Sequence, residues 1–245
     1  MEPSAETAEE QYRAIESNPP VCRPHSISRR KFVEVLVAMR SPAAAEAETL
    51  ADIPGRYGID RGIALAFFVH ESSAGRAGIV RDYQTRNWGN LRRPQRPARG
   101  VLVATRGGPF ARYVSWAAGL EDWCELMVDV YGARWRLHTL GDVLKKYAPR
   151  EDQNDPEHYA RKVVQHIRRW QGEMQKAGAR RARPPWHVTV TATAGLNVRQ
   201  GRGTAFPIAA KLAHGERVLV GDDRDGWLWL CDGRGFIAKA YTAES

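Results

Sequence analysis

One segment constrains this chain more than any other: IALAFFVHESSAG, residues 63–75, followed from position 87 by NWGNL. Apolar side chains fall on nearly every side of the helix this stretch predicts (Ile63, Leu65, Ala66, Phe67, Phe68, Val69). A helix that is hydrophobic all round has to be buried. It carries one carboxylate, Glu71, to its C-terminal end, where Ser72, Ser73 and Gly75 break the helix. The carboxyl therefore leaves a dry core at the point where the backbone turns outward. Such surroundings disfavour the ionised form and raise a carboxyl pKa, which is what a general acid working near neutral pH requires. The plainer alternative is a glutamate that ends a core helix and faces water.

A chain of 245 residues, 43% hydrophobic with eight tryptophans, can enclose such a helix, as a medium domain plus a small one or as one large domain. Residues 1–24 are polar, acid-rich and broken by prolines. They show no apolar h-region, so no signal peptide is read there, and no apolar run approaches a membrane span. Cys22, Cys124 and Cys231 are odd in number and far apart, which fits free thiols in a reducing cytoplasm better than a disulfide framework or a zinc site. His138, His158 and His166 lack metal-ligand spacing with Cys or acid, so neither a metal nor a cofactor is expected. The Ser72-Ser73 pair has no GxSxG context and reads as a helix stop.

The net charge of +9 implies a polyanionic partner or setting. Nine arginines and one acid, Asp82, lie between Arg76 and Arg112; six basic residues and one acid, Glu173, lie between Arg168 and Arg183. No zinc-finger spacing, aromatic RNP-like strand or basic-region heptad accompanies them, so nucleic acid is not the expected partner. A bacterial cell wall, with peptide carboxylates and anionic polymers, would attract the same charge.

The pattern divides the chain. Residues 1–25 read as a disordered or loosely attached arm. Ser28 begins a helix with Phe32, Val35, Leu36 and Met39 at helical spacing. Ser41-Pro42 stops it and starts an alanine-rich helix through about Asp52. Asp60 is a plausible N-cap for the helix that ends at Glu71. Residues 72–112 are rich in Gly, Arg and Pro, and VLVAT suggests a hairpin or loop lobe. Helical pattern returns at Ser115, at Thr139–Tyr147 and at Asp155–Met174. Residues 175–186 (QKAGARRARPPW) read as a basic, proline-closed linker. From 187 to 245 short alternating segments separated by Gly- and Asp-rich turns predict a small all-β unit. There six acids and seven bases nearly cancel, so the positive charge belongs to the first domain and the linker.

The β unit resembles the bacterial SH3-type (SH3b) domain from His187 to about Tyr241. The residues that carry the resemblance are GLNVR (Gly195–Arg199), HGERV (His214–Val218), DGWLWL (Asp225–Leu230) and GRGFI (Gly233–Ile237). Leu196 and Val198 can alternate into a small barrel core, while Asn197 and Arg199 fix the turn. Trp227 and Trp229, two apart, share one face of a strand; they are either a wall-binding pair or barrel core. The resemblance implies binding, typically to peptidoglycan, rather than catalysis.

The first domain, residues 26–174, resembles the peptidoglycan-hydrolysing glucosaminidases of the lysozyme-like superfamily (glycoside hydrolase family 73). The resemblance rests on HES around Glu71, NWGNLR, FARYVSWAAGLEDW, and YAPREDQNDPEHYARKV with Asp155-Pro156 and Tyr159. It implies an α-rich lysozyme-like domain with a small β or loop lobe, followed by an SH3-like barrel. It also implies Glu71 as general acid, Asn87 and Asn90 with Trp88 as substrate-groove residues, and Tyr159 as a substrate-side hydroxyl near the acid. The implied activity is cleavage of the β-1,4 glycan bond after N-acetylglucosamine. Muramidase or lytic transglycosylase chemistry on the same glutamate, or a non-catalytic wall binder, are the alternatives. Without a signal peptide, the protein would reach the wall by phage-type lysis or a non-standard route.

Glycoside hydrolysis usually needs two carboxylates, about 5–5.5 Å apart for retention or about 6.5–9.5 Å apart for inversion. If the loop lobe supplies the second, it is Asp82, the one acid between Ser72 and Leu120. Otherwise Asp82 pairs with Arg81 or Arg86, and the 2-acetamido group of the sugar takes the second role. The arginine-rich lobe would then hold glycan or stem-peptide carboxylates.

Overall fold

The structure, a computed structural model, describes residues 17–177 and 185–245. It has a helical N-terminal region and an antiparallel β region after it, the order expected from the sequence. Two units are distinguished. Among the described residues, His25–Leu137 with 141–177 form one; the other gathers 17–24, His138–Leu140 and 185–245.

In the helical unit, α1 (Arg29–Ala38) starts at Ser28, whose hydroxyl accepts from the Lys31 N–H. It buries Phe32, Val35 and Leu36, and Met39 closes it as the C-cap. The alanine-rich stretch does not form one helix through Asp52. It breaks into a 3-10 turn (Ala44–Glu46) and two single turns, α2 (Ala47–Leu50) and α3 (Ile53–Arg56). Pro54 has no N–H for a helical bond, and its ring would clash with the carbonyl four residues back, so α2 cannot run on.

The helix α4 (Arg61–Ser72) is the buried centre of this unit. Every side chain from Ile63 to Phe68 is fully enclosed. Asp60 caps it, accepting from the Gly62 N–H at 2.8 Å. The same carboxylate oxygen accepts from the Ser26 N–H at 2.8 Å and the Ser26 hydroxyl at 2.9 Å, which ties the start of the unit to the cap. At the other end Ser73 adopts a left-handed conformation (φ 51°). Ser72 donates its hydroxyl to the Phe68 carbonyl and accepts from the Gly75 N–H, so both serines stop the helix.

Beyond α4, a short α5 (Gly78–Asp82) leads into the arginine-rich lobe. There β1 (Gly100–Thr105) and β2 (Gly108–Tyr113) form the expected antiparallel hairpin, with Gly100 opposite Tyr113 and Thr105 opposite Gly108. Ser115 caps α6 (Trp116–Glu125), which widens into a π-helical stretch, Leu126–Arg134. After α7 (Leu140–Tyr147), α8 (Pro156–Lys176) begins with Asp155 as cap and Pro156 in the first turn, where a missing N–H costs nothing. α1, α3, α5 and α8 all pack on α4. Among the described residues no helix is long and apolar enough to cross a membrane.

The second unit is a seven-stranded sheet: β3 (Trp186–Val190), β4 (Leu196–Arg199), β5 (Ile208–Leu212), β6 (Arg217–Arg224), β7 (Trp227–Leu230), β8 (Phe236–Ala238) and β9 (Thr242–Glu244). Its order is β5-β4-β8-β7-β6-β3-β9, with every pairing antiparallel. Leu196 and Val198 are buried with Asn197 exposed between them, the alternation expected for β4. They join Val188, Val220, Leu228 and Ile237 in one apolar core.

Within the stretch read as an arm, residues 19–21 pair their backbone with residues 138–140. The Val21 N–H donates to the His138 carbonyl, the Leu140 N–H donates to the Pro19 carbonyl, and Pro20 bridges Thr139. Residues 1–16 lie outside the described residues, as do positions 178–184 of the expected linker.

Asp60 serves a helix cap and two Ser26 donors at a fully buried position, so Asp60→Ala is expected to cost more than a simple cap, about 2–4 kcal/mol. Urea denaturation measures this; a loss below about 1 kcal/mol would contradict the role given to the cap.

Candidate active site

Glu71 emerges from the last turn of α4 with part of its surface open to solvent. Its carboxylate is held from two sides. The Tyr159 hydroxyl, from the first turns of α8, donates to Oε1 at 2.6 Å. The Asn90 amide donates to Oε2 at 2.9 Å and to the Glu71 carbonyl at 3.1 Å. Burial raises the Glu71 carboxyl above the usual glutamate range, and the Tyr159 and Asn90 hydrogen bonds oppose that rise. Burial, the Glu71 charge and Tyr147 keep the Tyr159 hydroxyl protonated far beyond neutral pH, so it stays a donor. Tyr147, which the sequence reading did not single out, also feels the Glu71 charge and donates its hydroxyl to the Gly89 carbonyl.

The NWGNL segment divides into parts that reach Glu71 and parts that do not. Asn90 sits in the left-handed region (φ 53°), which asparagine tolerates better than most residues, and this turns its amide toward the carboxylate. Gly89 is required by crowding: a Cβ there would lie 2.2 Å from the Tyr147 hydroxyl and 2.4 Å from the Trp123 ring.

Asn87 and Trp88 are not groove residues. Asn87 is fully buried and clamps the loop: its amide donates to the Leu91 and Ala111 carbonyls, and its Oδ1 accepts from the Leu91 N–H. Trp88 is also fully buried, stacked on Phe68 at 4.0 Å, with its indole N–H donating to the Ala64 carbonyl. A tryptophan is placed in a core where its N–H finds a partner, and an α4 carbonyl provides one.

Asp82 is engaged elsewhere. Arg81 holds Oδ1 at 2.6 Å and Arg106 holds Oδ2 at 2.8 Å. Among the described residues no second carboxylate hydrogen-bonds to Glu71. Much of the lobe's positive charge has internal partners as well. Arg96 and Arg99 grip Glu125 at 2.7 and 2.6 Å, Arg76 donates to the Met39 carbonyl, and Arg92 lies over the Phe110 ring. Arg86, Arg99 and Arg112 line a cavity of about 380 Å³ together with Val101 and Tyr113, and Glu71 is not part of that lining.

His70 is exposed and lays its ring on Tyr159 with centroids 3.8 Å apart. The signal for this was its place beside Glu71; the partner, 89 positions away, left none. Among the described residues no group of three or more His, Cys, Asp or Glu is placed to hold a metal ion.

In the β unit Trp229 is buried with Cys231 and Phe236, and the Arg23 guanidinium lies 5.4 Å from its ring centroid. Trp229 is core rather than a wall-binding surface, and its neighbour Trp227 is half-buried against the same cluster. Compared with known proteins, the chain matches no family model and no curated sequence.

Asn87 and Asn90 should separate in mutation. Asn87→Ala removes the side-chain partners of the buried Leu91 N–H and Ala111 carbonyl, while the Leu91 carbonyl keeps the Ala111 N–H; the expected loss is about 2–4 kcal/mol in chemical denaturation. Asn90→Ala removes two hydrogen bonds at a partly exposed site, so its loss is smaller, about 1–2 kcal/mol. Equal losses would contradict the division.

Proposed function

We propose that this chain is a peptidoglycan glycosidase in which Glu71 is the general acid and the C-terminal β unit, of SH3b type, holds the wall. The observation that carries the reading is the Glu71 carboxyl itself: emerging from an enclosed helix, raised by burial, and oriented by Tyr159 and Asn90. A carboxyl that burial holds protonated above the usual glutamate range can hand its proton to a glycosidic oxygen as the C–O bond breaks. Tyr159 and Asn90 then hold the carboxylate that remains, because charge-assisted hydrogen bonds strengthen as the charge appears.

With Asp82 bound by two arginines, the reading takes the one-carboxylate route. The acetamido carbonyl oxygen of the N-acetylglucosamine unit bonds to C1 as the leaving oxygen takes the Glu71 proton. Water then opens that ring and returns a proton to Glu71. This is a recognised exception to the two-carboxylate rule. The same lone glutamate also favours a second reading, lytic transglycosylation. There Glu71 protonates the leaving oxygen and then accepts the proton of the muramic 6-hydroxyl, leaving an anhydro product one water lighter.

Digests of purified cell walls, analysed by zymogram and by mass, test both. Glu71→Gln is expected to reduce lysis by at least about 10²-fold, the usual worth of a general acid, while the protein still binds walls. Wild-type activity should fall as pH rises through the raised Glu71 value, since the acid must start protonated. A reducing N-acetylglucosamine end supports the first reading and an anhydro end the second. A wild-type protein that binds walls and clears nothing would contradict both.

A further inference from the structure

His70 is exposed at the edge of the candidate site, and its ring covers the face of Tyr159, whose hydroxyl holds Glu71. Along α8 from Tyr159, positions 158, 162 and 166 follow at four-residue spacing and form a single stripe. They are His158, Lys162 and His166, spanning about 12 Å of helix. The adjoining stripe, Tyr159, Val163, Ile167 and Trp170, is the buried one, so the basic stripe borders the packed face. His158 and Lys162 are exposed, and His166 is half-buried against Trp170.

Acids close to the stripe have other duties. Asp155 caps the helix at the His158 N–H, Glu157 pairs with Arg150, and Glu173 pairs with Arg169 and Lys31. Among the described residues no salt bridge reaches His158, Lys162 or His166. The groups are near enough to act on one another. Burial lowers the His70 pKa first, and the charges of His166, His158 and Lys162 lower it further. His166 is lowered by burial, Arg169 and Lys162. Repulsion of this kind is relieved by an anion laid across the stripe.

We infer that His70, His158, Lys162 and His166 form a subsite for a carboxylate-bearing substituent of the saccharide, the peptide stem carried by every second sugar of the wall glycan. The inference rests on the glycosidase reading for the identity of the sugar chain. It assigns the helical unit a specificity that the catalytic glutamate does not provide: recognition of decorated glycan over neutral polymers of N-acetylglucosamine.

Histidine ring resonances of the full-length protein report on this without requiring turnover. A soluble disaccharide–peptide fragment and neutral chitotetraose are titrated in parallel. The charged fragment is expected to move the His70, His158 and His166 signals and raise the His70 and His166 titration midpoints, and chitotetraose to leave those midpoints in place. The double variant His158→Gln/Lys162→Gln should bind the fragment about three- to tenfold more weakly, the worth of one or two exposed ion pairs. Arg134→Gln, an exposed charge elsewhere in the chain, should bind it unchanged. Equal binding by the double variant and the wild type, or movement confined to His187 and His214 of the β unit, would overturn the inference. If the wild type cleaves no wall glycan, the glycosidase reading fails on its own, and fragment binding still decides the subsite.

Discussion

Enclosing the helix Arg61–Ser72 on all sides over its span from Ile63 to Phe68 is the constraint from which the rest of the helical unit follows. Its side chains from Ile63 to Phe68 are fully buried, and burial of this extent needs a shell of partners. α1, α3, α5 and α8 supply much of that shell, and Trp88 and Trp123 fill it with aromatic area. The polar ends of such a helix cannot be left unpaired. Asp60 closes one end and the two serines close the other. The shell and the stop together bring Tyr159 and Asn90 to the carboxyl of Glu71.

That carboxyl is under two opposed influences. Burial disfavours its charge, whereas a tyrosine hydroxyl and an asparagine amide favour it. Burial prevails, so the group holds its proton beyond the usual range, while the two donors are already in place for the anion. Neither influence alone would serve an acid: an exposed carboxyl loses its proton too early, and a buried one without donors has no way to accommodate the charge afterwards. The same shell explains Asn87 and Trp88. They build the loop from behind, and this is why Asn90 can hold its strained left-handed conformation at the front.

Periodicity and punctuation made much of this legible in the sequence. The apolar stretch before Glu71, the caps Ser28, Asp60 and Ser115, the β1–β2 hairpin and the alternation of Leu196 and Val198 all follow local rules. What stayed hidden depended on contacts between distant residues. NWGNL carries two asparagines of the same chemistry, and only the loop's geometry turns one to the core and the other to the carboxylate. Asp82 read as a possible second catalytic acid, but Arg106, 24 positions on, joins Arg81 in holding it. Trp227 and Trp229 shared a strand face as expected; the arm residue Arg23 over Trp229 was beyond any local pattern. Pro54 is a local signal as well: it separates the turns of the alanine-rich segment.

The proposed chemistry of the site therefore depends on the protonation of one group. Specific labelling of glutamate and a pH titration of the Glu71 carboxyl carbon in the intact protein measure it directly. The midpoint should lie above the ordinary value of 4.5, and Tyr159→Phe should raise it further by removing a hydrogen bond that favours the anion. A midpoint at or below 4.5, or one that falls when the tyrosine hydroxyl is removed, would contradict the account.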